Sequence, residues 1–210
     1  MKREKLAEKQ KNRFINGIYV NREYSWLLFN KRVLDQASDL TNPVLERGKF
    51  LSIFGSNLDE FFMVRAGSLY NEMLSHPRET DNKTGLTAAK QLDGICPVVK
   101  KLYAERSAVF NNLRKDLNKN GIKILREGEL TPRQREFCEN IFTSHILPLL
   151  SLMVLDAKHP LMQFENMRNY LLYDLEKDGR RMVGVMAVNS ALDRLYRVGG
   201  GKKIKMIPLE

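Results

Sequence analysis

The side chains of this sequence that are best suited to chemistry lie in the stretch SNLDE, residues 56–60. A glycine precedes the stretch and predicts the end of one helix, so the serine is expected to cap the start of the next. Unpaired backbone N–H groups at such a start, beside the neutral amide of Asn57, suit hydrogen bonding to a nucleotide base, ribose or phosphate. In the structural alternative, the two acids simply stabilise the positive end of the helix dipole.

The other reactive side chains form no convincing site. His76, His145 and His159 are widely separated, and His145 lies on a helical stripe of apolar residues, which predicts a core position. The separation of Cys96 and Cys138 argues against a disulfide framework and against a cysteine-based zinc site. This cysteine usage predicts a reducing compartment, the cytoplasm. Sequence signatures of P-loop enzymes, protein kinases, serine hydrolases and zinc metalloproteases are absent.

Positive charge is concentrated near the two ends of the chain. The formal net charge is +10, of which residues 1–13 contribute +4 and residues 194–210 another +4. Such a balance fits nucleic acid, an anionic membrane or a polyanionic substrate, whereas the alternative is a pair of solvated tails. In the second cluster, the run Gly199-Gly200-Gly201 precedes two lysines and suits either phosphate contact through backbone N–H groups or a hairpin turn.

Residues 20–119 carry apolar side chains at helical spacing and predict a bundle of four helices. The start signals of these helices are Ser25, Asn42-Pro43, Ser56 and Thr87. The first helix has an apolar stripe formed by Trp26, Phe29, Val33 and Ala37. The second helix is expected to end near Phe54, and Gly94 and Pro97 should kink the fourth helix or delay its start.

From Gly121 onward, short apolar runs predict four or five strands, with one helix opened by Thr131-Pro132 and a turn at Asp178-Gly179. The predicted fold class is α+β in two domains, a helical bundle followed by a mixed, truncated domain. The expected divisions are a basic arm over 1–19, a helical domain over 20–119 and a partial α+β domain over 120–210. Because the chain stops in an apolar, strand-like run, it is expected to be cut from a larger protein.

The segment from Asn21 to Leu69 resembles the N-terminal domain of bacterial polyphosphate kinases. Three linked motifs carry the resemblance: NREYSWLLFNKRVL, then NPVLERGKFL, then SNLDEFFMVR. Weaker similarity continues through GLTAAKQL and then, in the family's head domain, through GIKIL, ILPLLSLMVLDAKHP, NYLLYDLE and MIPLE. The family's usual HPFP is HPLM here, at residues 159–162.

The resemblance implies a kinase that reversibly moves the terminal phosphate of ATP to polyphosphate through a phosphohistidine and requires Mg²⁺. In this family the phosphorylated histidine and the phosphate-binding arginines lie in C-terminal domains that are absent from this sequence. The chain is therefore expected to be the nucleotide-contacting and dimerisation portion of the enzyme, inactive alone. Its implied partners are ATP or ADP, polyphosphate, its own C-terminal catalytic domains and a second copy bound through the head domain, without DNA. The implied location is the cytoplasm, with membrane association left open.

By position in the motifs, the resemblance implies that Asn57 contributes to the ATP site. Phe50, the aromatic residue of KFL, either walls the adenine pocket or packs the helix. Arg65, of MVR, either reaches a phosphate or pairs with Asp59 or a neighbouring helix. No residue of this chain is expected to be catalytic or to bind a metal, and His159 is not the family's phosphorylated histidine.

Two other functions are compatible with the residues alone. One is a stand-alone basic helical module that binds RNA or polyphosphate without catalysis. It has the charge but lacks the basic face interleaved with aromatic residues that single-strand binders use. The other is a purely structural dimerisation module, which would self-associate without affinity for nucleotides.

Overall fold

The computed structural model describes residues 20–155 and 163–209. The predicted basic arm and the His159-Pro160 turn lie outside these residues. The chain forms two compact units, residues 1–119 and 120–210. The first is called the helical unit here and the second the α+β unit.

The predicted fold class, an α-helical bundle followed by a mixed α+β region, is confirmed. The helical unit consists of α1 (Arg22–Ser38), α2 (Val44–Glu60), a π-helical turn (Phe61–Ala66), α3 (Gly67–Ser75) and α4 (Ala88–Lys119). The apolar faces of these helices meet in one core, because each helix presents large side chains at helical spacing. The largest fully buried apolar side chains of this core are Phe54, Phe61, Leu27, Leu34, Leu58 and Ile95.

The predicted helix break at Gly55 is wrong. α2 runs through this glycine, and the chain continues without interruption through the π-helical turn into α3. Glycine costs a helix about 1 kcal/mol relative to alanine, but Phe54 and Leu58 beside it are completely buried and their burial contributes more. The Ser56 hydroxyl donates to the carbonyl of Ser52, as a serine inside a helix does.

Two other helix starts differ from the prediction. α1 begins before Ser25, because the side-chain oxygen of Asn21 accepts hydrogen bonds from the backbone N–H groups of Glu23 (2.9 Å) and Tyr24 (3.3 Å). α2 has no side-chain cap, since the Asn42 amide donates instead to a backbone carbonyl in α1. For these two helices, the cap signals located the region of the start but not the capping residue.

The stripe predicted for α1 agrees with the buried one at Ala37 and is out of phase with it at Trp26, Phe29 and Val33. The buried residues of α1 are Glu23, Leu27, Asn30, Leu34 and Ala37. Two of them are polar, so hydrophobicity alone favoured the neighbouring stripe through Trp26 and Phe29. These two aromatic residues lie instead at the edge of the core, where Phe29 is 45 % exposed.

α4 begins at Ala88, so Gly94 and Pro97 lie inside the helix and do not delay its start. Gly94 makes room for α1. A Cβ atom at this position would lie 1.9 Å from the hydroxyl oxygen of Tyr24. That hydroxyl donates to carbonyl groups of α4 at 3.3 and 3.4 Å, so a residue without a side chain is required for the contact.

In the described part of the α+β unit, the strands form two three-stranded sheets. One has the order β1-β6-β5, with β1 and β6 parallel, and the other has the order β2-β4-β3 and is antiparallel. The bounds are β1 (Ile122–Ile124), β2 (Leu152–Leu155), β3 (Tyr170–Lys177), β4 (Arg180–Ala187), β5 (Leu195–Arg197) and β6 (Ile204–Pro208). Six strands are one or two more than predicted. The additional strand is β2, which is short and half-exposed and follows a proline-containing turn, so its sequence does not predict a strand.

Two local signals in the α+β unit are confirmed. Thr131 caps α5 (Pro132–Ile141), its hydroxyl accepting from the N–H of Gln134 while the Gln134 side chain accepts from the N–H of Thr131. Asp178 and Gly179 connect β3 to β4 with φ angles of 52° and 69°, which match the twist of a hairpin.

The expected core position of His145 is wrong. A π-helical turn (Phe142–Ile146) follows α5 and shifts the angular phase of the helix, so that Ile146 is buried and His145 is exposed. The Nδ1 atom of His145 lies 2.6 Å from the hydroxyl oxygen of its neighbour Ser144.

Candidate functional site

Two of the three predicted site residues, Asn57 and Arg65, line one cavity of the helical unit. The cavity has a volume of about 420 Å³ and lies where α1 meets α2 and the π-helical turn. Its lining residues are Arg22, Trp26, Phe29, Asn57, Glu60, Phe61, Val64, Arg65 and Ser68. Phe50 is not among them. It lies half-buried about two helical turns before Asn57 in α2.

Asn57 lies inside a continuous helix and not at a helix start. The predicted corner of unpaired backbone N–H groups is therefore absent at this position, because the helix itself uses these groups. Asp59 and Glu60 lie at the end of α2, so the predicted interaction with the positive end of a helix dipole is also wrong. What Asn57 offers to a ligand is its side-chain carboxamide.

Two hydrogen bonds in series orient the carboxamide of Asn57. Asn30 of α1 is completely buried, and its Nδ2 donates to the backbone carbonyl of Phe54 (3.1 Å). The Oδ1 atom of Asn30 accepts from Nδ2 of Asn57 (3.1 Å). Because a carbonyl can only accept, the Phe54 carbonyl determines which end of Asn30 is nitrogen, and Asn30 then determines the orientation of Asn57.

Arg65 forms an ion pair across the helix interface. Its Nη1 atom lies 3.2 Å from Oε2 of Glu23 in α1, not against Asp59. The Glu23 side chain is only 4 % exposed, and it also pairs with Arg22 at 2.8 Å. A buried carboxylate between two guanidinium groups is a compensated charge. The Arg65 guanidinium also lies over the indole ring of Trp26, 6.0 Å from the ring centroid.

The aromatic side of the cavity consists of residues that the sequence did not assign to a site. Trp26 stacks on Phe61 with ring centroids 4.7 Å apart, and meets Phe29 edge to face at 6.4 Å. A signal for them existed, since Trp26 lies in the motif SWL and Phe61 in the motif LDEFF. The apolar stripe predicted for α1 assigned Trp26 and Phe29 to the core, which is true only in part, and the burial of Phe61 was not predicted.

This cavity is suited to binding and not to covalent chemistry. The hydroxyl in its lining, that of Ser68, donates to the carbonyl of Val64 at 2.6 Å, and the lining contains no histidine or cysteine. Among the residues that the structure describes, no group of three His, Cys, Asp or Glu side chains could hold a metal ion. Nor is any helix in the described ranges long and apolar enough to cross a membrane.

Comparison with known proteins identifies one family. Residues 19–125 match the family described as polyphosphate kinase N-terminal domain, and residues 133–210 match the polyphosphate kinase middle domain. The chain is 42 % identical over 200 residues to a polyphosphate kinase of Bacillus anthracis, and 40 % identical over 182 residues to one of Halalkalibacterium halodurans. These alignments cover 91 % and 85 % of this chain.

The fold is also that of a solved relative. The crystal structure of polyphosphate kinase from Porphyromonas gingivalis superposes with a TM-score of 0.75 at 27 % identity, covering 92 % of this chain and 29 % of that one. The alignments with the Bacillus and Halalkalibacterium proteins likewise cover 28 % and 26 % of their lengths. The chain thus spans little more than a quarter of the relatives it matches.

Proposed function

This chain belongs to the polyphosphate kinase family, and from that premise we propose that its helical unit supplies part of the nucleotide site of an ATP:polyphosphate phosphotransferase. The observation that carries the proposal is the fixed carboxamide of Asn57 on the wall of an aromatic cavity. The whole enzyme would transfer the terminal phosphate of ATP to polyphosphate, and this chain would bind and orient the nucleotide.

The hydrogen bonds behind Asn57 define what it would recognise. One N–H of its Nδ2 donates to Asn30, which leaves Oδ1 as an acceptor and the second N–H of Nδ2 as a donor for a ligand. An acceptor at this place meets a hydrogen-bond donor, such as the exocyclic amine of adenine or a ribose hydroxyl. The acceptor and the remaining donor of the carboxamide together match the edge of adenine, which offers the N6 amine as donor and N7 as acceptor. Phosphate oxygens of ATP only accept, so they would leave Oδ1 without a donor. We therefore expect the nucleoside end of ATP, and not its phosphate chain, to contact Asn57.

The aromatic and charged neighbours support the same orientation. Trp26 and Phe29 are partly exposed and give the nucleoside an aromatic surface to pack against, beside the contacts that Phe61 and Arg65 make with the Trp26 ring. Arg65 forms an ion pair with Glu23 and lies against Trp26, so we expect it to position the indole ring. A contact between Arg65 and a phosphate stays a prediction. Phe50 lies off the cavity, and its contact with adenine stays a prediction as well.

The chemistry is expected to come from outside this chain. Since the cavity lining holds no nucleophile with an adjacent base, we expect the isolated chain to bind nucleotide without turning it over. Mg²⁺ would arrive bound to the ATP phosphates, and no residue here is assigned to it. Pairing of two copies and a cytoplasmic location remain predictions of the family resemblance.

Calorimetric titration of ATP with Mg²⁺ tests the proposal. We expect the wild-type chain to bind, the Asn57→Ala variant to bind about tenfold more weakly through loss of one hydrogen bond, and the Asn111→Ala variant, altered at an exposed asparagine of α4, to match the wild type. Equal affinity of the Asn57→Ala variant and the wild type would overturn the role of Asn57. Absence of binding to the wild-type chain would show that this unit forms no nucleotide site by itself, and ATP turnover by the chain would contradict its purely binding role.

A further inference from the structure

A second polar cavity lies in the α+β unit, and its charge differs from that of the Asn57 cavity. It has a volume of about 690 Å³ and lies between the start of α5 and the loop after β5. Its lining residues are Thr131, Arg133, Gln134, Phe137, Arg197, Gly199, Gly200 and Lys205. Three of these are cationic and none is acidic, whereas the Asn57 cavity includes the carboxylate of Glu60.

The three cations have no carboxylate partner within residues 20–155 and 163–209. Arg133 and Arg197 are exposed and Lys205 is half-buried, and none of them takes part in an ion pair of the described structure. Neighbouring cations of the same unit behave differently, since Lys123 pairs with Glu129 at 3.1 Å and Arg135 with Glu127 at 3.2 Å. These two neighbouring cations are thus neutralised, whereas the three in the cavity lining are not.

Most of the uncharged polar groups in the cavity lining already have partners. The Thr131 hydroxyl and N–H, the Gln134 N–H and the Gln134 Oε1 atom bond to one another in the capping box, which leaves Nε2 of Gln134 as a donor. The charged groups available to a ligand are Arg133, Arg197 and Lys205. Gly199 and Gly200 add no side chains to the lining, and the space beside Gly200 is open, since a Cβ there would meet nothing within 4 Å.

We propose that this cavity binds a segment of inorganic polyphosphate. Unneutralised cations gathered around a concave surface attract a linear polyanion, and release of its counterions drives the association. Polyphosphate is favoured over RNA because Phe137 is the single aromatic residue in the lining, whereas single-stranded nucleic acids are held on series of stacked rings. The choice of polyphosphate rests on the proposed function, which makes it the acceptor of the family's reaction. The role of Asn57 is independent of it.

Binding of end-labelled sodium polyphosphate, followed by fluorescence anisotropy at increasing KCl concentrations, tests the proposal. The test variant is Arg133→Gln/Arg197→Gln/Lys205→Gln. The matched control is Lys100→Gln/Lys101→Gln/Lys115→Gln, which removes the same charge from exposed positions of α4. We expect the test variant to bind at least about tenfold more weakly and to lose about 2 from the slope of log K against log [KCl], while the control keeps most of both.

Two further samples separate the alternatives. A variant with Arg133→Lys and Arg197→Lys, which keeps the charge, should retain polyphosphate binding, and Asn57→Ala should leave it unchanged. The proposal is overturned by equal losses in the test and control variants, by absence of binding to the wild-type chain, or by displacement of polyphosphate with single-stranded RNA at equal charge concentration. Circular dichroism of each variant establishes that its fold is retained.

Discussion

The two units of the chain differ in whether their polar side chains are buried or exposed. In the described residues, the buried polar side chains all belong to the helical unit: Asn21, Glu23, Asn30, Arg47 and Gln91. In the α+β unit the polar groups lie at the surface, and the cations around its basic cavity face solvent. Burial with a partner fixes the position of a group, while exposure leaves it free to meet a mobile polyanion. The helical unit thus orients the carboxamide of Asn57, whereas the α+β unit exposes the positive charges of its basic cavity.

The two units also differ in how many of their apolar side chains are buried. The helical unit contains most of the buried apolar side chains of the described residues. Both units also expose large apolar residues, and the β2-β4-β3 sheet exposes them on both faces. Leu171 is 46 % exposed and Leu172 is 67 % exposed, and as adjacent residues of β3 they point to opposite sides of the sheet. Substitutions at the buried apolar positions of the helical unit should therefore cost far more stability than substitutions at the exposed leucines of this sheet.

The largest contrast is expected between two leucines. Leu34→Ala empties a fully buried position and should lower the free energy of unfolding of the helical unit by about 3 kcal/mol. Leu172→Ala, at its exposed site in β3, should change stability by no more than about 0.5 kcal/mol. Urea unfolding followed by Trp26 fluorescence and by circular dichroism measures both effects. Similar losses would remove the distinction between the units.

Two ion pairs give the next contrast. Arg65→Ala leaves the buried carboxylate of Glu23 with one exposed partner and should cost about 2 kcal/mol, since Arg65 itself is partly exposed. Arg181→Ala removes a pair with Asp174 whose side chains are 77 % and 63 % exposed, and should cost about 0–1 kcal/mol. In a double-mutant cycle, Glu23→Gln should recover much of the loss caused by Arg65→Ala. No recovery would show that Arg65 acts through packing on Trp26 instead.

Replacing two glycines of the helical unit by alanine should change its stability in opposite directions. Gly94→Ala displaces Tyr24 and should destabilise the unit by about 1–2 kcal/mol, because a methyl group has no room there. Gly55→Ala meets nothing within 4 Å and should stabilise it by about 1 kcal/mol through helix propensity. Thermal unfolding of the two variants measures both shifts. A gain from Gly94→Ala would contradict the packing described for Tyr24.

The smallest expected effect is a pH dependence. Hydrogen bonds from Lys119 (2.9 Å) and from the buried Arg47 (3.0 Å) hold the pKa of Asp116 below its usual value of 3.8. A carboxyl group with a lowered folded-state pKa stabilises the fold above its unfolded pKa, and this contribution is lost as the pH falls through the folded pKa. Asp116→Asn should therefore lower stability at neutral pH and flatten its decline in acid. Stability curves of the variant and the wild type that stay parallel in acid would exclude the effect.

Much of the fold followed from the sequence, because helix periodicity and turn chemistry are local. The fourth helix after Thr87, the Thr131 cap and the Asp178-Gly179 hairpin each depend on residues close together in the chain. Gly55 was misjudged because its local preference to end a helix is outweighed by the burial of its neighbours, which sequence spacing does not report. The π-helical turns likewise shifted side chains such as His145 out of the predicted phase.

The candidate site was predictable in part. Motif resemblance located Asn57, but the physical reason inferred from the sequence, an unpaired helix start, was wrong. The actual cause is the hydrogen bond from Asn57 to Asn30, which joins residues 27 positions apart in different helices. No local sequence pattern predicts a hydrogen bond between two such distant side chains. Because Asn30 is polar, hydrophobic spacing did not predict that it belongs to the buried stripe of α1. The position of Trp26 at the cavity was missed for the same reason.

The central claim is that Asn57 meets the nucleoside end of ATP. NMR of the ¹⁵N-labelled chain observes this directly, since the side-chain amide signal of Asn57 can be assigned by its absence from the Asn57→Ala variant. The account predicts that this signal moves on addition of ATP with Mg²⁺ and stays in place with tripolyphosphate and Mg²⁺. A signal unchanged by ATP, or moved equally by tripolyphosphate, would contradict it.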